Sequence, residues 1–180
     1  MEILDLYDCN KIKTGKTMIR GEKVPNGYYR LVVKIAIFNS RNEMLIQRIN
    51  KSPSYPFIFK WFDKWDISVS GSATTGDNSW QAAQREVKEE LGLIISFENQ
   101  VPKMSFTWSD GFIDIYIKEN FDVDLKTLTL QPEEVAEVKW ASKEQVLNLI
   151  SKKEFVAWKP EIIELLFKRD SKDGTLDIKK

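Results

Sequence analysis

The sequence contains no histidine. That absence excludes histidine-ligated zinc, Ser-His-Asp hydrolysis and Cys-His proteolysis. Acid–base chemistry near neutral pH must then come from tuned carboxylates, lysines, tyrosines or a water activated by a metal ion. A single cysteine, Cys9, excludes an internal disulfide framework and reads as an inert thiol. No apolar run reaches the roughly 18 residues that a membrane-spanning helix needs. The start, MEILDLYDCNK, is acidic and lacks a signal-peptide core, so a cytoplasmic location is expected. Neither sign of charge dominates: 27 Lys plus Arg balance 27 Asp plus Glu. This disfavours a generic nucleic-acid surface and leaves room for a local phosphate site.

The chain has 180 residues, of which 42% are apolar, with six tryptophans. A chain of this length buries roughly 70% of its extended surface and needs no covalent staples. One domain over residues 1–180 is expected, with residues 1–27 forming an N-terminal hairpin extension. Residues 28–39, YYRLVVKIAIFN, are rich in β-branched and aromatic side chains and predict a central strand. Residues 44–49 predict a second strand, its hairpin partner. Residues 50–64 hold two prolines and five aromatics and predict a loop bordering a site. Residues 65–70 predict a short strand, and 71–79 a loop rich in glycine, serine and threonine.

A helix is expected over 80–91. Asn78 with Gln81 fits a capping box, with Ser79 as the alternative cap. Ala83, Val87 and Leu91 give the helix an apolar stripe, and Gly92 supplies its stop. Strands over 104–108 and 112–118 flank Ser109-Asp110-Gly111, and another covers 135–140. Ser142 with Gln145 caps a helix through 150, and Pro160 opens a last helix over 161–168. The tail from residue 170 is charged and expected to fray. Strands interleaved with helices predict a layered α/β domain.

The segment with chemical content is GSATTGDNSWQAAQREVKEELGL, residues 71–93. Glu86 and Glu90 stand at i and i+4, and Glu86 and Glu89 at i and i+3, so the three carboxylates occupy neighbouring sectors of one helix surface. Exposed like charges at that spacing repel by a few tenths of a kcal/mol, roughly, per pair. Clustered oxygens are also what a hard cation requires. Arg85, four residues before Glu89, is placed to orient it. Spacing alone favours a charged, solvent-facing helix.

This segment resembles the Nudix box, G-x5-E-x7-R-E-U-x-E-E-x-G-U with U aliphatic. Gly71, Asp77, Arg85, Glu86, Val87, Glu89, Glu90, Gly92 and Leu93 fall at its positions without a gap. Asp77 alone departs, with aspartate where the family has glutamate. The flanks, GKTMIRGEKVPNGYYRLVVKIAIFNSRNEMLIQR and WDISVSGSATTGD, resemble the subgroup related to isopentenyl-diphosphate isomerase. Residues 131–142 resemble the family's closing strand.

The resemblance implies an α/β/α sandwich with a mixed sheet and a loop–helix–loop motif. It implies Mg²⁺ or Mn²⁺ held by Glu86, Glu89 and Glu90, joined by a backbone carbonyl at Ser70 or Gly71. Arg85 would orient Glu89, and Asp77 would play a supporting part. Glu134, with Glu133 as its rival, would complete the site or act as base. The implied activity is hydrolysis of the phosphoanhydride bond of a small organic or nucleoside diphosphate derivative; the alternative is a Nudix domain that binds such a ligand without turnover. A homodimer is compatible with the family. Isomerase chemistry is disfavoured: the chain has no histidine, Cys9 lies far from the nucleophile's strand, and Ser72 stands where that subgroup has a metal histidine.

Four cations lie in or near the early strands: Arg20, Arg30, Lys34 and Arg48. Arg30 and Lys34 share strand parity and face one side. Each could hold a phosphate beside the carboxylates, or be a surface charge. Lys34 matches a position that is often histidine in the subgroup. Trp108, Phe106, Trp61 and Phe59 are candidates to stack on the substrate's organic group, or to fill the core.

Overall fold

A computed structural model describes residues 2–51 and 60–168. The chain begins with β1 (Ile3–Tyr7) and β2 (Lys13–Ile19), an antiparallel hairpin. β3 (Arg30–Ile37), β4 (Met44–Ile49), β5 (Trp65–Ile67) and β6 (Val69–Ser72) follow. Helix α1 (Ser79–Leu91) leads to β7 (Met104–Trp108), β8 (Gly111–Lys118) and β9 (Val135–Ala141). Helices α2 (Lys143–Ser151) and α3 (Pro160–Phe167) complete the described chain. The expected tail lies outside the described residues. Among them, no helix is long and apolar enough to cross a membrane.

Two sheets form the centre, in the orders β6-β3-β8-β7 and β5-β4-β9. The first is mixed, because β3 runs parallel to β8 and antiparallel to β6. Strand alternation sorts the core. Leu31, Val33, Ile35 and Ile37 of β3 point to one side, where they join Ala83, Val87 and Leu91 of α1. Ala36 and Phe38 point to the other, where Val146 of α2 and Ile163, Leu166 and Phe167 of α3 cover them. Helices on both faces make the expected α/β/α sandwich.

Two local expectations are corrected. β3 and β4 are not a hairpin: they share a single bridge, Phe38 to Met44, and then diverge into separate sheets. The reason is competition for β3, whose whole length pairs with β8 from Arg30 opposite Gly111 to Ile37 opposite Lys118. The strand expected over 65–70 is two strands. Ser68 breaks it, donating its hydroxyl to Leu45 O and accepting from the Ile37 N–H, and the chain passes there from one sheet to the other.

The N-terminal hairpin is fastened to the loop before α1. Thr75 N donates to Ile3 O, Gly76 N to the Asp5 carboxylate, and Lys13 Nζ to Asp77 O. Arg20, just past β2, is thereby delivered to the cleft between the sheets.

Candidate active site

α1 is defined at both ends by its own sequence. Asn78 and Gln81 form the reciprocal capping box, and Gly92 stops the helix in the left-handed region at φ 69°. The helix buries Ala83, Val87 and Leu91 as expected, and beside them a second stripe of Ala82, Glu86 and Glu90. Two carboxylates at i and i+4 therefore face inward. Glu86 is 4% exposed and Glu90 only 1%. A solvent-facing charged helix is ruled out for these two residues.

Gly71, on β6, makes room for Glu86. A Cβ there would lie 1.8 Å from Glu86 Cδ, so no side chain is compatible with the present Glu86 position. Arg85 fixes the carboxylates from the other side. Its Nη1 donates to Glu86 Oε1 and Glu89 Oε2, each at 2.9 Å. Its Nη2 donates to Ser72 O, and Nε and Nη2 both reach Asp77 Oδ2, at 3.1 and 3.0 Å. Asp77 is itself held by the Thr74 N–H and hydroxyl. The shorter acid thus still grips the arginine. Glu89 remains half-exposed and turned toward Arg85.

Glu90 reaches across to β4. Gln47 Nε2 donates to Glu90 Oε2 at 2.7 Å, while Glu90 Oε1 and Gln47 Oε1 are buried and without a hydrogen-bond partner among the described residues. Burial first, then the nearby Glu86 and Glu134 charges, raise the Glu90 pKa well above the usual carboxylate range. Burial also pushes Glu86 up to about 7, against the opposing pull of Arg85 and Arg20. Glu134 is raised by burial, partly offset by Arg20.

Among the described residues, no three acidic, histidine or cysteine side chains converge at ion-binding spacing. Arg85 draws Glu86 and Glu89 to itself, which accounts for the dispersal. The donor set nevertheless fits a hard divalent cation. It offers oxygen donors only, one of them a buried carboxylate oxygen without a partner among the described residues, and the charge of Glu86 raises the Glu90 pKa.

A cavity of about 440 Å³ opens where the two sheets diverge. One wall is Arg30, Val32 and Lys34, the even-numbered face of β3; the opposite wall is Gln47 and Ile49 of β4. Ser70, Gly71, Glu90 and Glu134 line the end next to α1, and Trp61 and Trp108 also border the space. Glu133 is exposed and does not line it.

The four cations differ in what they already hold. Arg30 makes no salt bridge among the described residues; its guanidinium lies 5.3 Å from the Trp108 ring, and Nη1 is 3.4 Å from Ser72 Oγ. Burial, and then repulsion from Arg20, lower its pKa, so the two guanidiniums are close enough to repel. Arg20 pairs with Glu2 at 2.7 Å. Lys34 is committed to Asp66 at 2.7 Å, and Asp66 also accepts from Trp158 Nε1. Arg48 lies outside the cavity lining and bonds Asp63 and Glu137. Phe106 packs with the α2–α3 core instead of lining the cavity. Phe59 lies outside the described residues.

Sequence reasoning missed Gln47 and Asp66. Both sit in strands where a polar residue reads as the outward position, and the two face each other in the β4–β5 register. A weak signal existed for Gln47: it follows Met44, Leu45 and Ile46, a run with no outward face.

Residues 28–166 match the NUDIX domain family model. The chain is 44% identical over 158 residues to an uncharacterized Nudix hydrolase, lin0387, of Listeria innocua, covering 88% of this chain and 90% of that one. It is 42% identical, with the same coverage, to an uncharacterized Nudix hydrolase, lmo0368, of Listeria monocytogenes. Among solved structures it resembles DR0079 from Deinococcus radiodurans, with a TM-score of 0.69 and 25% identity over 92% of this chain and 97% of that one.

Proposed function

The chain belongs to the NUDIX domain family, and from that premise we propose that it is a hydrolase of the phosphoanhydride bond in a small organic or nucleoside diphosphate derivative, dependent on Mg²⁺ or Mn²⁺. One observation carries the proposal: Glu90, at the end of a cavity that also contains arginines, keeps a buried carboxylate oxygen with no hydrogen-bond partner among the described residues, beside a second buried carboxylate, Glu86. Two inward acids, one with an oxygen that has no partner among the described residues, are placed for a cation.

Glu86 and Glu90 would hold the ion, with Glu89 and the Gly71 carbonyl as further oxygen donors beside them. A divalent cation there supplies neutralisation of phosphoryl charge and a lowered pKa for attacking water. The protein's own groups do the rest. Arg30, on the cavity wall without a salt bridge among the described residues, binds a phosphate, and Arg20, paired with Glu2, lines the cavity beside it as a hydrogen-bond donor. Lys34 is already neutralised by Asp66, so it donates a hydrogen bond and contributes little net charge. Arg85 keeps Glu86 and Glu89 oriented through its Asp77 anchor. Glu134, on the rim with a raised pKa, accepts the water's proton. Trp108, stiffened by Arg30 against its face, borders the organic moiety.

The flanking segments favour the branch of the family related to isopentenyl-diphosphate isomerase, as a matter of ancestry and not of reaction. Cys9 is exposed in the turn of the β1–β2 hairpin and is unavailable to carbon-protonation chemistry in the cavity.

The test is a purified-protein screen against nucleoside di- and triphosphates, dinucleoside polyphosphates, sugar diphosphates and isoprenoid diphosphates, with and without Mg²⁺ or Mn²⁺. Released phosphate and product masses are read. Turnover of one class that EDTA abolishes is the expected result. Tight binding without turnover under either metal would instead establish a binding module.

A further inference from the structure

We infer that Gln47 is the positioning residue for Glu90, and that its amide reserves one Glu90 oxygen for the cation while its own carbonyl receives a water from the ion's hydration shell. The inference rests on the metal reading above.

Gln47 is 4% exposed, lines the cavity, and stands on β4, the middle strand of its sheet. Its backbone is held on both sides, opposite Asp66 on β5 and Val138 on β9. The side chain therefore projects from a rigid platform. In the ionised form that a cation requires, the carboxylate accepts hydrogen bonds and donates none, and the amide presents Nε2 to Glu90 at 2.7 Å to match. That bond occupies Oε2, and Oε1 has no hydrogen bond of good geometry among the described residues, the Ser70 backbone being a polar neighbour of the carboxylate. The amide orientation, fixed in turn by Glu90, leaves Gln47 Oε1 as an orphaned acceptor.

Two buried orphaned oxygens on side chains bonded to each other call for a shared solution. A hydrated divalent cation held at Glu90 Oε1 would satisfy both oxygens, Glu90 Oε1 as a ligand and Gln47 Oε1 as an acceptor from a water of hydration. The residue type matters. A lysine or arginine at position 47 would neutralise Glu90 and compete with the ion. Glutamate would add a third repelling charge. Glutamine supplies an N–H with no charge, so Glu90 keeps its full attraction for the cation.

The experiment measures Mn²⁺ affinity by electron paramagnetic resonance on the full chain, without substrate, for wild type, Gln47→Met, Gln47→Asn, Glu90→Gln and the Gln47→Met/Glu90→Gln double variant. Thermal unfolding in EDTA checks each fold. Gln47→Met matches the length without hydrogen bonds; Gln47→Asn keeps the amide but is too short to reach Glu90. Outer-shell partners of metal ligands typically govern affinity by about 10–100-fold. Both single variants should bind Mn²⁺ about tenfold or more weakly while unfolding near the wild-type temperature. The double variant should lose clearly less than the sum of the two single losses, because the larger part of Gln47's effect runs through Glu90. Wild-type affinity in either folded variant, or additive losses in the double variant, would overturn the inference and leave the metal site standing. No Mn²⁺ binding by the wild type would overturn the metal reading and this inference with it.

Discussion

The Glu86 carboxylate rests directly on the backbone of Gly71: a Cβ at position 71 would overlap its Cδ at 1.8 Å. The contact links the first glycine of the motif to its first helix glutamate, and it sets where that acid stands relative to Glu90. Arg85 then closes the far side.

Gly71→Ala should therefore displace Glu86 and cost on the order of 1–3 kcal/mol from overpacking, since the atom it meets is a carboxylate locked by Arg85. Turnover should fall by at least about tenfold, because a misplaced ligand acid weakens the ion's stabilisation of the transition state. Thermal unfolding and phosphate release on the same preparation check both halves.

Asp77 holds Arg85 through Nε and Nη2. Asp77→Ala leaves the guanidinium bound only to the acids and Ser72 O, and should lower kcat by about tenfold, the scale of one charge-assisted hydrogen bond. Asp77→Glu restores the family's residue and should stay within about threefold of wild type. Steady-state kinetics on the pair decide it.

Arg30 and Arg48 make a matched comparison. Arg30 lines the cavity without a salt bridge among the described residues, whereas Arg48 is spent on Asp63 and Glu137 outside it. Arg30→Met should raise KM by about tenfold or more. Arg48→Met should leave KM within about twofold.

Much of this site was legible in the sequence because it is local. The capping box, the left-handed stop at Gly92 and the i, i+4 phase of Glu86 and Glu90 all lie within one helix and its ends. The parallel pairing of β3 with β8 joins residues some eighty positions apart, and no periodicity records it; adjacency suggested β4 as the partner instead. The inward direction of Glu86 and Glu90 was equally hidden, since two acids beside an apolar stripe read as its solvent margin. What turns them inward is the gap left by Gly71 and the reach of Gln47, both supplied by other strands. Lys34 shows the converse: strand parity placed it correctly beside Arg30, but Asp66, which neutralises it, comes from β5.

Burial of Glu86 and Glu90 links stability to pH. Glu86 is pushed up to about 7 and Glu90 is raised as well, whereas both titrate near 4.3 when unfolded. Between those values the native state binds more protons, so metal-free protein loses stability as pH rises through this window. In EDTA the unfolding temperature should drop from pH 5 to pH 8 on the order of 5 °C or more, and saturating Mg²⁺ should recover most of it at pH 8. A flat profile in EDTA would mean the two acids are not strained by burial.

The most direct measurement is made on Glu90→Gln. It compares Mg²⁺-dependent phosphate release with thermal unfolding in EDTA at pH 8, both against wild type, using the substrate class that the wild type turns over. The substitution keeps the shape and the Gln47 contact surface while removing a buried charge. An acid kept for an ion, at a cost to the empty fold, predicts a variant at least as stable as wild type and slower by roughly a thousandfold. A Glu90→Gln protein that retains wild-type turnover would contradict the role of Glu90 and, with it, the metal-dependent hydrolysis proposed for this cavity.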